Sequence, residues 1–404
     1  MKPPAALGGP PAFADGLAFV RPPCPPLARV VARLEPSYTS GVLTNGPLVR
    51  ELEERAADRL GVRSVVVVSS CTSGLMLALR ALVPSGDVVV PSFTFSASAH
   101  AIAWNGGRAV FAECDPRTFQ VDVDHVTSLA GSARALMGTH VFGAPCPVDE
   151  LEDLARRAGL ALIFDAAHAF GATSRARPVG GFGDAEVFSL SPTKVLIGGE
   201  GGLVATNRAD VADSIRLGRD YGNPGDYDTR FVGLNARMSE LHAAVALESL
   251  DELDQHLARR RAIAERYRTG LAGLPGVEVQ VVAPTDLSTC KDLTILVDDE
   301  FGIDRDGLRR VLGSEGIDTR SYFSPPVHLQ QAYRSTGVPS LPITESVSDR
   351  ALSLPIHRDL PLDAVDAVVE AVLAAHVHAD ELHGLLRGLG PAAARAPQLT
   401  APTR

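Results

Sequence analysis

No apolar run in this 404-residue chain reaches the length that crosses a bilayer, and the N-terminus does not show the charged-then-apolar order of a secretory signal. Cysteine is scarce. The five present (Cys24, Cys71, Cys114, Cys146, Cys290) show neither CxxC nor zinc-ligand spacing and are spread too thinly for a disulfide framework. No metal site is expected. Clusters of positive charge are absent too: basic residues are scattered, and the formal net charge is −10, which argues against binding nucleic acid or an anionic membrane by bulk electrostatics. These absences lead to the expectation of a reduced, cytoplasmic protein that holds any anionic ligand locally. What is there is an ordinary globular balance, 45% hydrophobic and 21% charged, with length enough for two or three folding units.

Proline pairs at residues 3–4, 10–11, 22–23 and 25–26 resist helix and sheet, so residues 1–45 are expected to form a draped N-terminal arm. From 46 to 250, strands alternate with helices. Ser64 to Val68 is apolar on both faces, as a strand buried between helix layers is, and Leu48, Leu52, Ala56 and Leu60 recur at helical spacing until Gly61. Further strands fall at 87–90, 108–112, 135–141, 160–164, 186–190 and 202–206, with helices between several of them. This alternation predicts an α/β fold with a mostly parallel sheet, ligands gathering at the carboxyl ends of the strands. A long helix from Ser239, a possible N-cap, to about Thr269 leads out of this domain. Residues 251–380 read as a smaller α+β domain and 381–404, rich in Gly, Pro, Ala and Arg, as a disordered tail. There is no internal repeat.

The chemistry centres on Lys194, in Ser191-Pro192-Thr193-Lys194 with Gly198 to Gly202 behind it. A lysine among small residues can be held out of bulk water and form a Schiff base. Asp165, at the end of a buried strand, can hold a pyridine nitrogen protonated, and His168 follows three residues later; the alternative is a carboxylate that caps the next turn with a packed histidine beside it. Cys71-Thr72-Ser73-Gly74 sets small hydroxyl residues at a helix start, a phosphate site or an ordinary cap by Thr72 or Ser73. A Cys71 nucleophile served by His168 and Asp165 would leave Lys194 without a role. Of Phe93 and Phe95, one can stack on a planar cofactor while core packing takes the other. Ser189 can add a phosphate contact. Asn235 and Arg237 stand in a loop before the long helix, where a solvated helix start is the plainer reading.

The order and spacing of these signals closely resemble the fold-type I, pyridoxal-phosphate-dependent sugar aminotransferases of the DegT/DnrJ/EryC1/StrS family. The motifs TNGP, SSCTSGLMLAL, VPSFTFSA, HVFGAPC, DAAHAFGA, PTK with GGEGG, GLNARMSE and GIDTRSYFSPPVH carry the resemblance from about Leu43 to His378. It implies that Lys194 forms the Schiff base with pyridoxal 5′-phosphate, that Asp165 pairs with the pyridine nitrogen, that His168 lies near the ring hydroxyl and that Phe95 stacks on the ring. It implies phosphate contacts from Thr72, Ser73 and Ser189, with Asn235 reaching the phosphate of the other subunit of an obligate homodimer with shared sites. Arg320, Tyr322 and His328 fall in the stretch near the nucleotide-sugar substrate.

The resemblance further implies a transamination in which L-glutamate converts the cofactor to pyridoxamine 5′-phosphate, which then aminates a keto sugar. The opening GGP and LAFVRPP runs, LTNGPLVRELEE and YFSPPVH are most similar to enzymes acting at C4 of TDP-4-keto-6-deoxyglucose in antibiotic pathways. The expected product is TDP-4-amino-4,6-dideoxy-D-glucose, with 2-oxoglutarate released. The alternatives are amination at C3 of a TDP-3-keto-6-deoxyhexose and a non-catalytic regulator with the same fold. Lys194 argues against the family's dehydrating branch, which carries histidine there.

Overall fold

The runs of valine and isoleucine that cannot be left in water become the strands of one sheet with helices on both faces. The computed structural model describes residues 1–404 except 84, 335–338 and 389–404. The large sheet is built from β1 (Ser64–Val68), β2 (Asp87–Pro91), β3 (Arg108–Ala112), β4 (Ala135–Thr139), β5 (Ala161–Asp165), β8 (Ala185–Ser189) and β9 (Gly202–Thr206), in the order β1-β9-β8-β5-β4-β2-β3. All neighbours are parallel except that β9 runs antiparallel to both β1 and β8. Val65 and Val67 of β1 enter one core, which holds the buried faces of α2 (Pro47–Leu60), α6 (Val148–Ala158) and α8 (Glu240–Asp251). Val66 and Val68 enter the opposite core, against α3 (Cys71–Leu82), α4 (Ala97–Trp104) and α7 (Ala209–Gly218). The period-two alternation of an extended strand thus serves both layers. A shorter helix, α5 (Val123–Leu129), is N-capped by Asp122.

Beyond α9 (Leu253–Leu271), a third core gathers on the antiparallel sheet β10 (Val277–Val279), β12 (Leu293–Val297) and β13 (Ala351–Leu354). The helices α10 (Arg305–Ser314), α12 (Leu362–Val377) and α13 (Ala379–Gly388) pack there, while α11 (Pro342–Arg350) leads into β13. A ribbon of two-residue strands, β6 (Thr173–Ser174), β7 (Arg177–Pro178) and β11 (Asp286–Leu287), links the chain before α9 to the chain after it. Helix α9 itself bridges two of these cores, with Leu253 and Leu257 in the one that holds Val65 and Val67 and Ile263, Tyr267 and Leu271 in the third.

Three expectations need correction. The arm is not irregular throughout: α1 (Leu27–Ser40) is a 14-residue helix that starts after Pro26 and runs through Pro36. Proline breaks a helix when nothing else holds it; here Arg29 and Arg33 pair with the buried Glu248 of α8, at 2.6 and 2.5 Å. The helix expected from Ser239 to Thr269 is divided at Glu252, whose φ of −100° and ψ of 0° turn the chain between α8 and α9. Finally, α13 occupies the first residues of the expected tail; the rest of that tail lies outside the described residues.

Glu240, fully buried at the start of α8, explains why two distant motifs are needed together. Its carboxylate accepts from the backbone N–H groups of Gly46, Leu48 and Val49 at 2.9, 2.9 and 3.0 Å and from the Ser37 hydroxyl at 2.8 Å. One side chain therefore caps α2 and fastens α1 to α8. Glu240→Ala strands those N–H groups in a dry site and is expected to lower stability by about 3–5 kcal/mol. Denaturant titration checks this; a loss below about 1 kcal/mol would show the carboxylate to be incidental.

Candidate active site

The register of the sheet brings three chain segments to one edge. Val68 of β1 and Ser189 of β8 both pair with Gly202 of β9, and Asp165 of β5 pairs with Val187 of β8. The carboxyl ends of β1, β5 and β8 thus lie side by side. Over them opens a cavity of about 300 Å³ whose lining includes Thr72, Phe95, Asp165, His168, Ser189 and Lys194. These six residues are separated by as many as 122 positions in the chain, yet they share one cavity.

Lys194 sits on the loop between β8 and β9, which is drawn closed by the bond from Gly198 N–H to the Leu190 carbonyl at 2.7 Å. Burial pushes its ammonium down to about 8, and the Lys291 cation adds to the shift, against Asp292, Cys71 and Asp165. An ammonium brought down to about 8 gives up its proton more readily than a solvated lysine, and the free amine is a nucleophile and a base. Asp165 is buried, with Oδ2 accepting from the Ser98 hydroxyl at 2.6 Å and Oδ1 from the Ala167 N–H at 3.1 Å. These two donors fix the plane of the carboxylate. His168 is kept neutral: burial first, then the cations of Lys194, Lys291 and Arg260, push its imidazolium well below the usual range. Its ring lies parallel to that of Phe142, with centroids 6.5 Å apart.

At the end of β1 the chain turns into α3. Ser70 is the N-cap, and Ser73 answers it in a capping box, so Ser73's N–H and hydroxyl both face Ser70. That leaves Cys71 and Thr72, the first two helical residues, with N–H groups that have no intrahelical acceptor. Gly202 makes room for this helix start: a Cβ there would stand 2.7 Å from the Cys71 nitrogen. Of the two phenylalanines, Phe93 is buried against Phe119, Phe142 and Phe323. Phe95 lines the cavity with 62% of its surface exposed, which leaves a ring face for a planar ligand.

The remaining sequence-predicted residues are placed as follows. Tyr322 lines the cavity. Ser73 does not, for the reason just given. Arg320 is turned away, paired with Asp318 and held over the Phe19 ring at 5.3 Å. His328 is buried outside the lining, with Nδ1 2.6 Å from the Ser92 hydroxyl and Nε2 3.2 Å from Glu345; both ring nitrogens are occupied, so neither is free for a substrate. Asn235 is exposed on the loop before α8, bridged to Asp220, and lines no part of its own chain's cavity. The sequence reading missed Ser98, Thr139, Lys291 and Asp292, all of which touch Asp165 or the cavity. For the last two a signal existed: adjacent opposite charges directly before the apolar strand Leu293–Val297.

The set is what a planar, phosphorylated aldehyde needs: a withdrawn amine, a fixed carboxylate, a free aromatic face and a helix start with open N–H groups. A model of the DegT/DnrJ/EryC1/StrS aminotransferase family matches residues 28–373. The chain is 37% identical over 343 residues to the dTDP-3-amino-3,4,6-trideoxy-alpha-D-glucose transaminase of Streptomyces venezuelae, covering 82% of this chain and 89% of that one. It is 32% identical over 366 residues to the dTDP-4-amino-4,6-dideoxy-D-glucose transaminase of Escherichia coli, covering 88% and 98%. Among solved structures, DesI in the presence of its TDP-sugar product superposes with a TM-score of 0.90 at 39% identity, over 95% of this chain and 98% of that one.

Proposed function

The chain belongs to the DegT/DnrJ/EryC1/StrS aminotransferase family, and on that premise we propose that it transfers the amino group of L-glutamate to C4 of TDP-4-keto-6-deoxy-D-glucose. It is a pyridoxal-phosphate-dependent aminotransferase acting on a nucleotide sugar. The observation that carries the reading is the single cavity that unites Lys194, Asp165 and the open start of α3.

Pyridoxal phosphate, when bound, supplies an electrophilic aldehyde and an electron-withdrawing ring. The rest is done by the chain's own residues. With the cofactor bound, Thr72 and Ser189, with the N–H groups of Cys71 and Thr72, would hold the phosphate; Phe95 would cover the ring face; Asp165 would keep a proton on the pyridine nitrogen. His168, kept neutral by burial and the neighbouring cations, would donate or accept one hydrogen bond at the ring hydroxyl. Lys194 Nζ would be the group that bonds the cofactor, and as a free amine it would take the proton from the α-carbon of the donor and, in the second half, return a proton to the aminated carbon of the sugar. Tyr322 at the cavity wall orients the sugar. Asn235, exposed and not part of its own chain's cavity lining, would complete the phosphate cradle of a second copy in a homodimer.

The choice of a TDP sugar is supported by the named relatives and by the DesI structure, which matches over 95% of this chain. The choice of C4 rests on the LAFVRPP and YFSPPVH runs. A second reading, amination at C3, is favoured by the 37% identity to the Streptomyces venezuelae transaminase. Incubation with glutamate and each of the TDP-3-keto and TDP-4-keto 6-deoxy sugars, with the product's regiochemistry read by NMR, decides between them. Nitrogen at C4 is the expected result; nitrogen only at C3 would overturn it.

A further inference from the structure

One buried ionic pair in the cavity has no part in the roles above. Lys291 and Asp292 are both buried and both line the volume that contains Lys194. Lys291 Nζ donates to Asp292 Oδ1 at 2.8 Å, its one hydrogen bond among the described residues. An ammonium has three donors, so two are left over, and Asp292 Oδ2 is likewise buried without a partner. The backbone beneath the pair is tied down from two directions. The Lys291 and Thr289 N–H groups donate to the carbonyls of Phe142 and Gly143, each at 3.0 Å, and the buried Arg260 guanidinium donates to the carbonyls of Cys290 and Lys291 at 3.2 and 3.1 Å. A buried cation with spare donors, held on fixed backbone beside a reactive amine, is suited to an anion.

Which anion follows from the chemistry of the two substrates. In an α-amino acid the carboxylate is one bond from the reacting carbon. In a nucleotide sugar the diphosphate hangs on C1, across the ring from a C3 or C4 ketone. Lys291 is near enough to Lys194 to disturb its proton affinity, a position that suits the first anion and not the second. The cofactor phosphate has its own cradle at α3.

We propose that Lys291 is the recognition residue for the α-carboxylate of the amino donor, with Asp292 as the positioning residue that orients its ammonium and balances its charge until the donor arrives. This rests on the aminotransferase reading of the site. Asp292 Oδ2 is then available to the donor's own amino group, so the pair presents both signs of charge that a zwitterionic amino acid carries.

Glutarate, a dicarboxylate without an amine, is the probe, titrated by calorimetry into the full chain loaded with pyridoxal phosphate. The wild type binds it, Lys291→Gln weakens it at least tenfold, and Lys291→Arg stays within about threefold, because arginine keeps the charge. In parallel, Lys291→Gln raises the KM for glutamate at least tenfold and leaves the KM for the amino-sugar product in the reverse direction unchanged. Should Lys291→Gln fail to fold for want of a partner to Asp292, Lys291→Gln/Asp292→Asn removes both charges together and carries the same expectation. Glutarate binding undiminished in Lys291→Gln, no glutarate binding in the wild type, or a parallel rise in both KM values overturns the proposal. A wild type that binds glutarate but gives no spectral response to glutamate or any other amino acid sinks the aminotransferase reading and this proposal with it. That failure differs visibly from the failure of Lys291 alone, in which glutamate does respond.

Discussion

Lys194→Ala is expected to lower turnover by about 10⁴-fold or more while leaving the melting temperature within a few degrees of the wild type. The size follows from removing two functions at once. Capture of the aldehyde needs a nucleophilic amine, and proton transfer at the substrate carbon needs a positioned base, a contribution of itself about 10²–10⁴-fold. The fold should hardly respond, because the Lys194 side chain is half-buried at a cavity wall and the loop that carries it is closed by backbone bonds of Lys194 and Gly198. Lys194→Arg should be as inactive as Lys194→Ala, since a guanidinium stays protonated. The same lysine sets a pH dependence with a definite sign. Its ammonium lies near 8 in the folded chain rather than near 10.4, so the amine is neutral above about pH 8 and protonated below. The rate at which cofactor-free protein captures pyridoxal phosphate, followed by absorbance, should rise with pH and level off above about 8. An inflection near 10 would mean that the amine is solvated. Activity retained by Lys194→Ala would remove the lysine from the chemistry.

The second large effect is expected at Asp165. Asp165→Asn keeps the size of the side chain and its bond to the Ser98 hydroxyl but cannot stabilise a proton on a pyridine nitrogen. Turnover should fall by about 10³-fold, equivalent to about 4 kcal/mol of transition-state stabilisation. Pyridoxal phosphate should still bind, because Lys194, Phe95 and the start of α3 are untouched. A visible spectrum like that of the wild type with the activity gone is therefore the signature. Loss of cofactor together with activity would mean that Asp165 serves mainly to hold the ligand. Ser98→Ala provides the graded counterpart: losing the 2.6 Å bond to Oδ2 should cost far less than Asp165→Asn, since the charge remains.

Much of this site was legible in the chain because its parts hang on strand ends. A strand such as Val65–Val68 declares itself by β-branched residues on both faces, and whatever follows it must stand at the sheet's carboxyl edge. Asp165 and the Thr72 turn were placed at that edge by this reading, and both line the cavity there. What could not be read is contact between segments far apart in sequence. Lys291–Asp292 enters the cavity only because the small domain folds back and fastens residues 289–291 to Phe142 and Gly143. His328 looked available for a substrate by its place in the YFSPPVH run, but Ser92 and Glu345 come from elsewhere to take both ring nitrogens. Helix α1 was hidden by local rule: its prolines oppose a helix, and the anchors that overrule them, Glu240 and Glu248, lie about 200 residues away. For Ser73 the structure shows the capping role that the sequence left open, in partnership with Ser70, one residue ahead of the quoted CTSG.

Two lysines share the cavity, and the account gives them different work: Lys194 as the reactive amine and Lys291 as an anchor that stays paired with Asp292. Borohydride reduction of the protein loaded with pyridoxal phosphate, followed by peptide mass mapping, separates them directly. The account predicts the pyridoxyl mass on the peptide that contains Lys194. Its appearance on the peptide that contains Lys291, or on neither, would contradict the account at its centre.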